Sequence, residues 1–219
     1  MSAEGWFRFA MEGMPEQVLD LKHAGIVLFG VAGAGSTMLS VNVDVWAAPR
    51  LVSWTDPRFP DDGEIEHNVA PAFYTEWLEM PRAVLAGRGL DAVDGLSFDY
   101  DVTDPDAPDE SPGAINQDSH ALFDRAKMTV SHRGDGYYAV QAEGVTEFGW
   151  TFALEATAPL EKIVFRHDDR ARQGAPDPEV EAEFDTLFDR APFDCGWRRR
   201  GSTEYGWHDF IATAKGQAE

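Results

Sequence analysis

The 219-residue chain contains one cysteine and only four lysines, and both shortages restrict what the protein can be. Cys195 has no second cysteine with which to form an internal disulfide, so the fold must be stable without one, as is usual in a reducing compartment. Eighteen basic residues stand against 39 acidic ones, giving a formal net charge of −21. Because phosphate backbones and anionic membrane surfaces recruit Lys and Arg, we expect neither nucleic acid nor a membrane as a partner.

Long hydrophobic runs are absent as well. The longest apolar stretch, residues 25–35, is rich in glycine and has about half of the roughly 20 residues that a membrane-spanning helix needs. The first 20 positions contain four acidic residues and no apolar core of the kind found in signal peptides. We therefore expect a cytoplasmic protein.

Aromatic residues, by contrast, are plentiful. Seven Trp, five Tyr and fourteen Phe in a chain that is 43% hydrophobic supply a large core, which excludes a disordered acidic chain. The length suits one domain, and the sequence shows neither an internal repeat nor a long linker. We expect a single domain over residues 1–219, with loops near residues 104–118 and 168–176, where Pro and Asp cluster.

Hydrophobic and polar residues alternate along much of the chain, which is the period of a strand with one buried face. The alternation is clearest over residues 37–47 and recurs over residues 6–11, 51–54, 96–102 and 203–213. Over residues 127–167 it predicts an antiparallel meander of four strands, with Phe148 and Trp150 on one apolar face and the last turn at Ala158 and Pro159.

Two helices are predicted between the strands. Asp177 caps a helix that Pro178 begins, and its apolar face consists of Val180, Phe184, Leu187 and Phe188. The other begins at Pro71 and has a stripe of Phe73, Tyr74, Trp77 and Leu78; Pro81 ends or kinks it, and a further helical piece extends through Leu85. The predicted class is α+β: a mainly antiparallel, curled or barrel-like β-sheet with two or three helices packed on it.

Acidic residues are concentrated in residues 56–110, which hold fifteen Asp and Glu against three Arg. One interpretation is a surface that receives a basic protein partner. The alternative is a solvated surface that keeps an acidic, lysine-poor protein soluble. Under the first interpretation, the partner-binding residues are four acids and three aromatic anchors: Asp61, Asp62, Glu64, Glu66, Trp54, Tyr74 and Trp77.

Motifs for phosphate or metal binding are incomplete. Residues 30–37 have the glycine spacing of a phosphate-binding loop, but Ser36 stands where a lysine is required. Carboxylates at Asp99, Asp101 and Glu110 are spaced like calcium ligands, but Asp104 occupies the position that needs glycine. None of the six histidines forms the i, i+4 pair of a helical zinc site. We therefore expect no metal site and no cofactor.

Residues for nucleophilic catalysis are equally sparse. The chain has no Gly-x-Ser-x-Gly elbow. Cys195 precedes the arginines at 198–200, which could lower the pKa of its thiol, but a lone cysteine beside Trp197 is more often a small buried hydrophobic residue. In so acidic a molecule we expect the three arginines to pair with the protein's own carboxylates. Trp46 and Trp54 flank Pro49 and could line a ligand cavity or an interface.

The sequence favours a non-enzymatic acidic protein that binds a basic protein partner, in an inhibitor or immunity-type role. Two alternatives stay open. One is a β-barrel that binds a small molecule, with or without hydrolase or isomerase activity, and the other is a metal-dependent enzyme. The first hypothesis predicts binding that weakens steeply with salt, the second a cavity with salt-insensitive binding, and the third a retained metal ion.

Overall fold

A computed structural model describes residues 3–33, 38–57, 60–75, 78–169, 172–201 and 206–216. In chain order the strands of these residues are β1 (Glu4–Ala10), β2 (Gln17–Ala32), β3 (Met38–Ala47), β4 (Arg50–Trp54), β5 (Ile65–Val69), β6 (Ala72–Thr75), β7 (Leu78–Pro81), β8 (Ser97–Asp101), β9 (Gly113–Asn116), β10 (His120–Gly134), β11 (Tyr137–Thr146), β12 (Thr151–His167), β13 (Phe193–Arg200) and β14 (Trp207–Ala214). The helices are α1 (Arg82–Leu85) and α2 (Pro178–Leu187), and short 3-10 turns cover Pro60–Asp62 and Arg172–Gly174.

Eight strands close into an antiparallel barrel. Their order is β1-β2-β3-β6-β9-β10-β11-β12, and β12 pairs with β1 to complete the ring, with Phe9 opposite Phe152. Alternate side chains point inward, so Val41, Val43 and Val45 of β3 are all completely buried. The prediction of a mainly antiparallel, barrel-like sheet is confirmed.

Aromatic side chains fill the barrel core. The rings of Phe73, Phe123 and Phe152 have centroids 5.2 to 5.8 Å apart, and Phe7 and Phe9 are completely buried in the same core. An eight-stranded barrel is just wide enough for its own side chains to fill. Binding of a small molecule would therefore use the surface of the barrel or its ends.

Strands β2 and β12 are longer than the barrel requires and continue beyond it. Residues 160–167 of β12 pair in parallel with residues 26–32 of β2, and β14 and β13 extend the sheet from β12. Helix α2 covers this extension, because Phe184 packs against Phe165 and Phe210 with ring centroids 5.8 and 5.3 Å away. Its predicted N-cap is confirmed, since the Asp177 carboxylate accepts a hydrogen bond from the Glu179 backbone N–H.

The helix predicted from Pro71 is wrong. That segment contains the strands β6 and β7, which both pair with β3, and Phe73 and Thr75 alternate into the buried face. The helical piece ending at Leu85 is confirmed as α1. The helices of the described residues are thus only 4 and 10 residues long, so the chain is mainly β, and the α+β class with two or three helices holds only in part.

Two further expectations about the strands are wrong. Strand β12 runs through Ala158 and Pro159 without a turn, so the meander over residues 127–167 has three strands rather than four. The loop expected near residues 104–118 contains β9, because Ile115 enters the barrel core between Phe73 and Ala121 of the neighbouring strands. Strand β13 was not predicted, and it pairs with β14 at the edge of the sheet extension.

Tyr138 of the barrel binds the segment between α1 and β8 through two hydrogen bonds. Its buried hydroxyl donates a hydrogen bond to the carbonyl of Leu90 and accepts one from the N–H of Val93, and burial raises the pKa of this hydroxyl. We expect Tyr138→Phe to lower the free energy of unfolding by about 1–3 kcal/mol, because both buried backbone groups lose their partner. Urea unfolding checks this. The neighbouring Tyr137→Phe is the control and should change stability by less than about 0.5 kcal/mol; equal losses would contradict the role given to Tyr138.

Candidate functional site

The strands β4 and β5 form a hairpin outside the barrel sheet. Four of its carboxylates are exposed, and we call them the hairpin acids: Asp61, Asp62, Glu64 and Glu66. No ion pair joins any of them to another residue that the structure describes. The acids of α2 differ, because Glu181 and Asp185 are both paired with Arg190. The hairpin acids therefore present their full charge to the solvent.

The hairpin is fixed to the barrel at both of its strands. The Arg50 guanidinium donates a 3.0 Å hydrogen bond to the carbonyl of Val18 on β2. The Gln117 side chain accepts a 2.7 Å hydrogen bond from the Ala70 N–H and donates one of 2.9 Å to the Asn68 carbonyl. These contacts hold the hairpin acids in a defined position relative to the barrel.

Trp54 is at the junction between the hairpin and the barrel. Its ring stacks on that of His67 with centroids 3.7 Å apart, and only 6% of the residue is exposed. Trp54 thus belongs to the inner face of the hairpin, whereas Glu66 lies on the outer face opposite Ser53. The small exposed part of Trp54 lines a cleft.

That cleft, the mouth cleft, has a volume of about 320 Å³ and opens where the β1–β2, β4–β5, β9–β10 and β11–β12 connections meet. It is lined by Met11, Glu12, Trp54, Asp56, Pro57, Ser119, Phe148 and Trp150. Three of these lining residues are aromatic, and the Phe148 and Trp150 rings are 5.4 Å apart. Glu12 is exposed and Asp56 is buried. None of these lining residues is basic, so the described lining combines aromatic surface with negative charge.

The predicted anchor Tyr74 does not lie at the hairpin. Tyr74 is on the barrel wall, where it pairs with Asp44 of β3 and its ring is 5.3 Å from that of His120. Trp77 falls outside the described residues. Trp46 is 45% exposed and lies on the barrel wall beside His23. Of the two proposed aromatic anchors that the structure describes, only Trp54 lies at the hairpin.

The mouth cleft was missed by the sequence reasoning because four separate segments supply its residues. Phe148 was predicted on the same strand face as Trp150, but it lies in the turn before β12 and is 51% exposed. Gly149, with a φ of +73°, lets the chain turn there. An aromatic residue next to a turn glycine is the local signal that could have indicated an exposed ring.

A second polar group lies on the barrel wall around Gly25. A Cβ atom at Gly25 would come within 2.6 Å of the Glu161 carboxyl carbon, so glycine is what allows Glu161 to lie over β2. A Glu161 carboxylate oxygen is 3.6 Å from Nε2 of His23. Asp44 pairs with Gly25 across the sheet. Burial raises the pKa of Asp44, while His23 lowers it and Glu161 raises it further. Because the group lies on the outer wall, we interpret it as a pH-sensitive part of the sheet and not as a catalytic centre.

We expect Asp44→Asn to stabilise the fold at neutral pH, because the amide carries no charge that burial disfavours. The raised pKa means that ionised Asp44 costs stability above its folded-state pKa, and that this cost disappears as the pH falls and the carboxyl becomes protonated. Urea unfolding of both proteins between pH 7 and pH 4 measures the difference, which should shrink towards acid pH. Glu79→Gln removes one charge from an exposed position of β7 and is the control. If Asp44→Asn were less stable than the unmodified protein at pH 7, burial of the ionised Asp44 carboxylate would not be unfavourable, and the interpretation would be contradicted.

One of the three consecutive arginines of β13, Arg200, lies close to a carboxylate of the protein itself. Asp209 is completely buried, and its two carboxylate oxygens lie 3.4 Å from Arg166 and 3.5 Å from Arg200. The expectation that the arginines pair with the protein's own carboxylates is confirmed for Arg200. Arg200 therefore belongs to a structural ion-pair group of the sheet extension, together with Arg166 and Asp209.

The structure gives little support to a reactive cysteine or to a metal site. Cys195 is half-buried on β13, and burial raises the pKa of its thiol, so the arginines that follow it do not activate it as a thiolate. Among the described residues no group of three or more His, Cys, Asp or Glu is arranged to hold a metal ion. Asp101, one of the calcium-like positions, instead accepts hydrogen bonds from the N–H and the hydroxyl of Thr103.

No protein-family model, no curated protein and no solved structure matches the chain. Among the helices of the described residues, none has the length and apolar character needed to cross a bilayer.

Proposed function

We propose that the protein binds a basic protein partner through the hairpin acids, in an inhibitor or immunity-type role. One observation carries the proposal: four exposed carboxylates have no ion-pair partner among the described residues and are held on a hairpin that is fixed to the barrel. Charges in fixed positions can match those of a partner at little cost in side-chain ordering.

The net charge of −21 would accelerate the encounter with such a partner. Attraction between exposed charges is screened beyond roughly 8 Å at physiological salt, so the association should be strongly salt-dependent. The outer face of the same hairpin offers an apolar contact for the bound state, because Leu51 is 65% exposed there, on the same face as Glu66. This side chain can be desolvated at the interface, with carboxylates near it.

Affinity capture from the native host's lysate tests this function. The purified chain is immobilised, and the proteins retained at low and at high salt are identified by mass spectrometry. We expect one basic protein that is held at low salt and released at high salt, and that forms a one-to-one complex when both proteins are purified. Retention of no specific basic protein at either salt concentration would contradict the proposal.

A further inference from the structure

The mouth cleft has a composition that selects one kind of chemical group. Three aromatic side chains line it, Trp54, Phe148 and Trp150, and two carboxylates accompany them. Its volume of about 320 Å³ is at the lower end of the range for ligand pockets. An aromatic lining with negative charge is suited to a cation, because the faces of aromatic rings attract positive charge.

We propose that the mouth cleft receives an arginine side chain of the basic partner. The planar guanidinium can stack on an aromatic ring and donate paired hydrogen bonds to a carboxylate at the same time, which the compact ammonium of lysine cannot do. Phe148, with half of its surface exposed, offers such a ring face at the rim. Glu12, exposed on the β1–β2 turn, supplies a carboxylate acceptor in the lining of the same cleft.

Other occupants fit less well. A purely apolar group would cover the Glu12 carboxylate without giving it a hydrogen bond, and burial of such a group is costly. An anionic group would be repelled by the same carboxylate. The position of the cleft also favours the partner's own side chain, because Trp54 and Asp56 belong to the hairpin strand and connection that lead to the hairpin acids.

This inference rests on the proposed function, but it can be tested without the partner. The probe is N-acetylarginine methylamide, and its uncharged analogue N-acetylcitrulline methylamide has nearly the same shape. Each is titrated into the ¹⁵N-labelled protein while the indole N–H signals of Trp54 and Trp150 are followed. We expect the arginine probe to shift these signals with a dissociation constant on the order of 1–10 mM and citrulline to leave them unchanged.

Two variants locate the binding. Glu12→Gln removes the rim charge and Phe148→Ala removes an exposed ring, and each should weaken arginine binding by about three- to tenfold. Val102→Ala is the control, because it truncates an apolar residue that is 54% exposed and does not line the cleft. Equal shifts from arginine and citrulline, unmoved indole signals, or an equal loss in the control would overturn the inference.

The result is distinguishable from a failure of the proposed function. If arginine does not bind in the cleft while the partner still depends on the hairpin acids, only this inference is wrong. If arginine binds in the cleft but the lysate contains no basic partner that is released by salt, the cation site stands and the proposed function fails.

Discussion

Replacing all four hairpin acids by lysine is expected to weaken the complex with the basic partner by about 100-fold or more at low salt. The change removes four attractive charges and places four repulsive ones in the interface. It should leave the fold intact, because the four side chains are exposed and none takes part in an ion pair with the residues that the structure describes. Calorimetric titration of the purified pair gives the dissociation constant, and urea unfolding of the variant verifies its stability.

A matched control separates local charge from total charge. The connection between β8 and β9 carries four further exposed carboxylates, and changing them to lysine alters the net charge by the same amount: Asp104, Asp106, Asp109 and Glu110. This control should weaken binding by no more than about fivefold, through reduced long-range attraction alone. If both variants lose affinity equally, net charge and not the hairpin determines the interaction.

Loss of the Arg82 side chain is expected to cause the largest fall in stability among the single substitutions considered for this fold, about 2–4 kcal/mol for Arg82→Met. Arg82 forms an ion pair with Glu183 of α2, and only 16% and 23% of the two side chains are exposed. The guanidinium also donates a 2.8 Å hydrogen bond to the carbonyl of Val31 on β2. Its removal leaves Glu183 poorly solvated and opens the junction between α1, α2 and the sheet.

Urea unfolding of Arg82→Met, Glu183→Met and the double variant measures this effect. The double variant should be less destabilised than the sum of the two single variants, because neither charge is then left alone. Lys127→Met breaks an exposed pair with Asp99, in which both side chains are about two-thirds exposed, and it should cost less than about 1 kcal/mol. An equal loss of unfolding free energy in Arg82→Met and Lys127→Met would contradict the stabilising role given to the Arg82–Glu183 ion pair.

The antiparallel, curled character of the sheet could be predicted because it depends on the local alternation of hydrophobic and polar residues. Residues 38–47 alternate in burial along all of β3, and the Asp177–Pro178 start of α2 is a local signal of the same quality. The closure of the barrel and its extension could not be predicted. Strand β12 pairs with β1 along its first half and, in parallel, with β2 along its second, and this choice depends on residues far apart in the chain.

The error at Pro71 has a specific cause. Phe73 and Leu78 fit a helical stripe and a pair of strands almost equally well over so short a stretch. Pairing with β3 decides in favour of strands, and no local feature of the sequence reveals that pairing. The clustering of acidic residues in the sequence was enough to indicate the hairpin acids as a candidate surface. The mouth cleft could be recognised only from the fold, because Glu12, Trp54 and Phe148 meet only after the barrel closes.

Hydrogen exchange of the complex with the captured basic protein tests the central claim most directly, because it maps the binding surface without substitutions. Binding should slow amide exchange in residues 50–69 and in the turns that line the mouth cleft. The β8–β9 connection should keep the exchange rates of the free protein. Slowed exchange confined to that connection or to the outer wall around Asp44, with the hairpin unchanged, would contradict the account.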